Sequence, residues 1–342
     1  MKTVKLAFLG FGGVARAFVQ MLEDKRETLQ KTHGFDTKIV AISTNSQGAA
    51  FAPDGLNTKA LLSTVRGKAC LKDIPGGQAL SDNDKLIDES GADIFIELSY
   101  TNPTDGEPAR SYCNRAAGNG MKIITANKGP TAFGMEEILK ASPHKEHAFG
   151  YEASVMAGTP VISLIKRTLP GADFIKFRGI LNGTSNYILG QMEQGTEYAI
   201  ALKDAQEKGF AEADPTADVE GFDVMMKVII LSSALFEQRI GPNNIARSGI
   251  SRITKNMVEN ATKEGKRWKL IGSGILCDDG QYEAKVEAEL LSNTDPLYGI
   301  SGASNALCVT TAELGDVTVS GNGAGLSETA YGLLADLIFA CQ

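Results

Sequence analysis

The sequence predicts an α/β protein, a doubly wound parallel sheet joined to a second, α+β part with a mixed sheet. Three observations predict it. A short apolar strand carrying Val4, Leu6 and Phe8 runs into the glycine turn Gly10-Phe11-Gly12-Gly13-Val14-Ala15, and Val14, Phe18, Met21 and Leu22 then recur at helical spacing. Strand-like and helix-like segments alternate up to about residue 150, the pattern of parallel strands joined by helical crossovers. Past residue 160 the rhythm changes to paired strands: 268–277 and 281–291 flank Asp278-Asp279-Gly280, a hairpin with an Asp-Gly turn.

The first strand, turn and helix have the context that a Rossmann-type dinucleotide fingerprint requires. Gly10 permits the tight turn, Gly12 lets the backbone approach a pyrophosphate, and Ala15 is small enough for close helix–strand packing. The helix start adds unpaired N–H donors and a partial positive charge. Residues 38–43 read as a second strand ending in Ser43-Thr44-Asn45-Ser46. That end lacks both the acid that holds an NAD ribose and an arginine for a 2′-phosphate. Small hydroxyl and amide groups tolerate a phosphate better than a carboxylate would, so NADP is favoured over NAD, dual use being compatible, with Thr44 and Asn45 as contacts. Residues 93–98 form another strand followed by turn residues 99–106, and 107–117 a helix broken at 118–120. Residues 121–125 are a strand ending in Ala126-Asn127-Lys128-Gly129-Pro130, and 149–153 the last clear strand of this half. Ligands of open α/β sheets bind at the carboxyl ends of strands. Thr101, Asn102 and Lys128 lie just past such ends, and Lys128 is favoured as a ligand group over an exposed loop lysine. Residues 57–77 give no clear pattern.

In the second half, 173–181 reads as a strand and Asn182-Gly183-Thr184-Ser185-Asn186 as the cap of a helix beginning near Tyr187. Gly321-Asn322-Gly323-Ala324-Gly325 is a second glycine-rich helix start, before a helix over 326–339 that returns to the first domain. The expected division is 1–150 completed by 321–342, and 151–320. The densest chemistry lies in AEADPTADVEGFDVMMK, which gathers Glu212, Asp214, Asp218, Glu220, Asp223 and Lys227 into 17 residues ahead of an apolar run. Asp223 and Lys227 share a helix face, with Val224, Val228, Leu231 and Leu235 as the adjoining apolar stripe. Pro215 stops any preceding helix and Gly221 loosens the next, so 212–218 is expected to be a shaped loop. Spacing alone admits two readings. One is a pocket that holds an ammonium group and keeps one lysine as acid or base. The other is a surface Asp–Lys pair worth about 0.3–0.5 kcal/mol.

Composition bounds the partners. The net charge is −7 and no basic block occurs, which argues against nucleic acid or an anionic membrane. There is no signal peptide and no 18-residue apolar span, so a cytoplasmic protein is expected. Cys70, Cys113, Cys277, Cys308 and Cys341 are scattered without a C-x-x-C and read as reduced thiols. His33, His144 and His147 have no companions that would complete a zinc site, so proton transfer falls to lysine and carboxylates.

Six motifs in order, GFGGVA, TANKGP, EASVMAGTPVI, GILNGTSNYIL, GFAEADPTADVEGFDVMMK and GNGAGLSETA, together resemble homoserine dehydrogenase along essentially the whole chain. The resemblance implies reversible hydride transfer between a nicotinamide cofactor and the aldehyde of aspartate semialdehyde, giving homoserine. It implies a homodimer, with a nucleotide domain completed by the C-terminal helix and a catalytic and dimerisation domain. By the same resemblance Lys227 is the proton donor, Asp218 its support, and Glu212 and Asp223 the carboxylates that grip the substrate and its ammonium group. Gly183 and Thr184 lie in the substrate loop, Lys128 stands between nicotinamide and substrate, and Gly323 joins the cofactor contacts. Glu152 with the carbonyls of Val155, Ala157 and Thr159 resembles the family's sodium-binding turn; the alternative is a capped junction with Glu152 facing water. Phe210 departs from the tyrosine of many relatives and removes a hydroxyl contact. The chain ends at Gln342 without the regulatory extension of some relatives, so feedback inhibition through it is not expected. A dehydrogenase of another small amino alcohol, and a protein that senses NAD(P) without turnover, are the rival readings.

Overall fold

A computed structural model describes residues 1–63, 71, 74, 75, 77, 78, 82–144 and 147–342. The chain divides into two compact units, Met1–Gly158 with Gly325–Gln342, and Thr159–Ala324. The division falls at 158/159 and 324/325, against the 150/151 and 320/321 of the sequence reading. The reason lies in the C-terminal helix. Asp336 on Leu326–Ala340 accepts a hydrogen bond from the Glu152 N–H at 2.8 Å. The strand expected over 149–153 therefore stops after two residues, and a short helix, Ala153–Met156, follows in the same unit.

The first unit holds one six-stranded sheet: β1 (Lys2–Leu9), β2 (Phe35–Thr44), β3 (Gly48–Phe51), β4 (Ile94–Glu97), β5 (Lys122–Thr125) and β6 (Phe149–Gly150). Their spatial order is β3-β2-β1-β4-β5-β6, and only the β2–β3 pair is antiparallel. The order reverses between β1 and β4, the switch point at which ligands of such sheets bind. Leu6 and Phe8 of β1 are buried completely, and Phe18, Leu333 and Leu337 join them in one core. The helix Leu326–Ala340 returns to the first unit, as the sequence expects, and packs there against Gly13–Asp24. Residues 57–77 lie partly outside the described set, Cys70 included. Cys113, Cys277, Cys308 and Cys341 are all free thiols.

The second unit holds β7 (Phe174–Ile180), β8 (Ala246–Arg247), β9 (Arg267–Leu276), β10 (Tyr282–Leu291), β11 (Ser304–Thr311) and β12 (Gly315–Asn322). Their order is β12-β11-β7-β9-β10-β8, antiparallel except for the β8–β10 pair, which makes the sheet mixed. The β9–β10 hairpin turns where expected, with Gly280 at φ 81°. The helix Phe222–Phe236 lies on this sheet, close enough that a Cβ at Gly272 of β9 would meet Val224 and Val228 at 2.7 Å. Glycine in the strand is what lets the helix approach. Lys269 of β9 is wholly buried, its Nζ donating to Asn186 Oδ1 at 2.9 Å and the Ile300 carbonyl at 2.8 Å. Burial pushes its pKa down to about 8. No helix among the described residues is long and apolar enough to cross a membrane.

Candidate active site

The acidic segment folds around two helix starts in the second unit. Asn182 caps Gly183–Glu193, its Oδ1 accepting from Ser185 N at 2.9 Å. That helix begins four residues before the expected Tyr187, because one side chain suffices as cap and the residues after it form the first turn. Residues 212–218 are not all loop either: Thr216–Val219 is a helical turn behind Pro215, and Asp214 Oδ1 accepts from Thr216 N at 3.0 Å. Gly221, at φ 78°, then turns the chain into Phe222–Phe236.

These starts bring Asp218, Asp223 and Lys227 together. Lys227 is 6% exposed; its Nζ donates to Asp223 Oδ2 at 2.8 Å and to the Leu181 carbonyl at 2.6 Å. The side chain of Asp223 is 19% exposed, so the pair is no surface ion pair of the screened kind. Asn182 Nδ2 donates to Asp218 Oδ1 at 2.7 Å and to Asp223 Oδ2 at 3.1 Å. A buried ammonium aimed at half-open carboxylates can exchange a proton with a ligand oxygen, and the carboxylates can hold a ligand cation. From the sequence Asn182 reads only as a cap.

The other predicted substrate residues take different places. Thr184 is buried and its hydroxyl donates to the Phe210 carbonyl at 2.6 Å, so it shapes the loop. Gly183 is required by packing, since a Cβ there would lie 2.5 Å from the Ala303 carbonyl oxygen. Glu212 is exposed, and among the described residues no hydrogen bond joins its carboxylate to the cluster; Gln206 Nε2 holds its carbonyl at 3.0 Å. The exposed ring of Phe210 lies 5.0 Å from that of Tyr187, whose hydroxyl accepts from Lys208 Nζ at 2.6 Å.

In the first unit the glycine turn fits a dinucleotide phosphate. Gly10 sits at φ 92°, where a Cβ would come within 2.5 Å of the Leu98 carbonyl oxygen. Gly12 is the N-cap of Gly13–Asp24, which carries no capping side chain and no acid in its first turn. Its N–H groups and positive end therefore stay available to an anion. Ala15, 1% exposed, makes the close packing expected, and Phe11 lies 4.7 Å from the Arg16 guanidinium. Gly13 has another duty: its Cβ position is 2.9 Å from Leu326 of the C-terminal helix. At the end of β2, Ser43 is buried and donates to Asn83 Oδ1 at 2.6 Å, Thr44 Oγ1 accepts from Gln47 N at 2.8 Å, and Asn45 is exposed.

The ends of β4 and β5 are tied by a residue that the sequence reading missed. Glu97 is wholly buried, accepting from Ser99 N at 2.8 Å and Thr125 Oγ1 at 3.1 Å. Burial holds its carboxyl above the usual range, against these hydrogen bonds. Asn127 caps Lys128–Phe133 and reaches the Ser99 carbonyl at 3.3 Å, so the loops carrying Thr101 and Lys128 form one assembly. The signal was present: an acid completing the apolar run Ile94-Phe95-Ile96. Asn102 is spent on a local turn, accepting from Thr104 N at 2.9 Å. Gly323 packs on Asn305, whose buried side chain a Cβ there would overlap at 2.0 Å.

Along the predicted cation turn, Glu152 and Val155 are buried, and Ala157 has φ 51° and ψ −116°. Thr159 Oγ1 donates to the Asn322 carbonyl at 3.1 Å. Glu152 does not face water as the alternative required. The described residues contain no group of three or more His, Cys, Asp or Glu able to hold a metal. His144 Nε2 lies 2.9 Å from the Gly120 carbonyl.

Comparison with known proteins identifies similar chains. The family model for homoserine dehydrogenase matches residues 160–338. An NAD(+)-dependent homoserine dehydrogenase of Pseudomonas canavaninivorans is 44% identical over 100% of this chain and 97% of its own. A homoserine dehydrogenase of Methanocaldococcus jannaschii is 37% identical, covering 97% of both chains. The crystal structure of a homoserine dehydrogenase from Thiobacillus denitrificans superposes with a TM-score of 0.83 at 29% identity, covering 100% of this chain and 74% of that one.

Proposed function

This chain belongs to the homoserine dehydrogenase family, and on that premise we propose how its residues divide the work. The reaction is reversible NAD(P)-dependent hydride transfer between L-homoserine and L-aspartate 4-semialdehyde, a step of aspartate-family amino-acid biosynthesis. The bound nicotinamide supplies or accepts the hydride. Lys227 moves the accompanying proton. In reduction its ammonium protonates the oxygen that becomes the hydroxyl; in oxidation the neutral amine takes that proton back. The observation that carries this role is the buried Nζ, held at 2.8 Å by Asp223 and at 2.6 Å by the Leu181 carbonyl. Asp218 supports the lysine, Glu212 and Asp223 grip the substrate and its ammonium group, and Gly183 and Thr184 shape its loop. Lys128 steadies the developing alkoxide, and Gly10, Gly12 and Thr101 line the cofactor. A spectrophotometric assay with L-homoserine and each cofactor tests the whole; absence of turnover with both would contradict it.

Cofactor choice is read as dual. The exposed Asn45 brings no carboxylate against a 2′-phosphate, while the 44% identical relative is named for NAD(+). Asn45→Asp is expected to lower kcat/KM for NADP about tenfold relative to NAD, by like-charge repulsion. An unchanged ratio of the two would remove Asn45 from the discriminating position.

The buried Glu152 and the backbone turn at Ala157 support a sodium site formed with the carbonyls of Val155, Ala157 and Thr159, since a hard cation wants oxygen ligands. Sodium chloride should then raise the melting temperature above that in choline chloride at equal ionic strength, and Glu152→Gln should erase the difference. Equal melting of the wild type in both salts would count against the site. A homodimer formed through the second unit is the accompanying proposal; a monomeric mass by light scattering would refute it.

A further inference from the structure

We propose that Asn182 is a positioning residue for hydride transfer, holding Asp218 and Asp223 in the arrangement that engages Lys227. The inference rests on the reading of Lys227 as the group that moves the proton. One side chain makes three hydrogen bonds in two directions. Its Oδ1 is fixed by Ser185 N at the helix start, which leaves both Nδ2 hydrogens facing away from the helix. Through them Nδ2 donates to Asp218 Oδ1 at 2.7 Å and to Asp223 Oδ2 at 3.1 Å, and Asp223 Oδ2 is the atom that binds Lys227 at 2.8 Å. The preceding residue, Leu181, gives Lys227 its carbonyl at 2.6 Å. Residues 181 and 182 therefore set both the lysine and its carboxylates.

The amide suits this place because it is neutral. Two carboxylates drawn to one site repel each other; a donor with two N–H bonds holds both without cancelling their charge. Asp218, Asp223 and Lys227 then sum to one negative charge, the complement of a substrate ammonium. Most charged groups on the other elements packed against Phe222–Phe236 are turned to different partners. In β8, Arg247 lies over the Phe222 ring, 3.5 Å from its centroid, and donates to the Glu220 carbonyl. In β9, Arg267 pairs with Glu193 and Lys269 with Asn186; in β10, Lys285 pairs with Glu287 and Glu289 with Arg178, and Tyr282 bonds Ser232. Glu283 of β10, and Lys166 and Arg167 of Leu164–Thr168, are the remaining titratable side chains on those elements.

The test separates the cap from the donor. Asn182→Ser keeps a good N-cap acceptor and removes the amide hydrogens; Asn182→Asp keeps the cap and the size but points an oxygen at two carboxylates. With L-homoserine and NAD or NADP, the serine variant should lose about tenfold in kcat and keep its cofactor KM. The aspartate variant should lose about 10²-fold, and its pH–kcat profile for oxidation should move alkaline by about one unit, since the lysine must give up its proton beside an added anion. A kcat and pH profile like the wild type in both variants, with Lys227→Met inactive, would overturn the role of Asn182 alone. Full turnover in Lys227→Met would overturn the reading on which it rests. Loss of activity in both variants without any change of pH profile in the aspartate variant would reduce Asn182 to a structural cap and also overturn the proposal.

Discussion

Replacing Lys227 by methionine should lower turnover about 10²–10⁴-fold, the usual contribution of a positioned acid or base, while cofactor binding stays unchanged. Reduction of an aldehyde leaves an alkoxide that needs a proton, and the nearest buried donor in the cluster is this Nζ, 6% exposed and bonded to Asp223 and Leu181. Methionine fills the same volume, so the helix Phe222–Phe236 keeps its packing. The variant leaves the Leu181 carbonyl without that donor, at a cost to stability of about 1–3 kcal/mol, so a lowered melting temperature is expected alongside the kinetic loss. Lys128→Met should also reduce turnover, through lost charge stabilisation. Wild-type turnover in Lys227→Met under saturating homoserine would move the proton role to Lys128.

A second large effect is expected at Gly10. An alanine there would adopt φ 92° and place its Cβ 2.5 Å from the Leu98 carbonyl oxygen. The backbone strain and the overlap with another main-chain atom add up to about 3 kcal/mol of destabilisation. The displaced atoms belong to the β1 turn and the end of β4, where the phosphates would lie, so the Kd for NAD(P)H should rise at least tenfold by the Coulombic and hydrogen-bond losses involved. Fluorescence titration and denaturant unfolding check the two halves of this expectation; a variant unchanged in both would mean that the turn yields more easily than its contacts indicate.

Much of this was legible because the signals are local. The glycine turn, the apolar strands, the Asp-Gly hairpin and the i, i+4 pair Asp223–Lys227 each depend on residues close in sequence, and the structure forms them all. What escaped depends on distance along the chain. Asn182 reaches Asp218 and Asp223 across 36 and 41 residues; its capping signal was readable, but its other hydrogen bonds exist only once the turn Thr216–Val219 and the start of the helix Phe222–Phe236 have folded against it. Asp336 shortens β6 from 184 residues away, which no pattern around residue 150 could reveal. Thr184 and Asn102 carry polar groups that the sequence offers to ligands, yet the fold engages both with backbone partners. Glu212 remains exposed, in keeping with a carboxylate that waits for substrate rather than one that holds the lysine.

The most direct measurement is the growth of reduced-nicotinamide absorbance when the purified protein, L-homoserine and NAD or NADP are mixed, run in parallel for the wild type and Lys227→Met at equal cofactor saturation. The account predicts steady formation of reduced cofactor by the wild type and a rate at least 10²-fold lower in the variant. No reduction by the wild type with either cofactor, or equal rates in the two proteins, would contradict it.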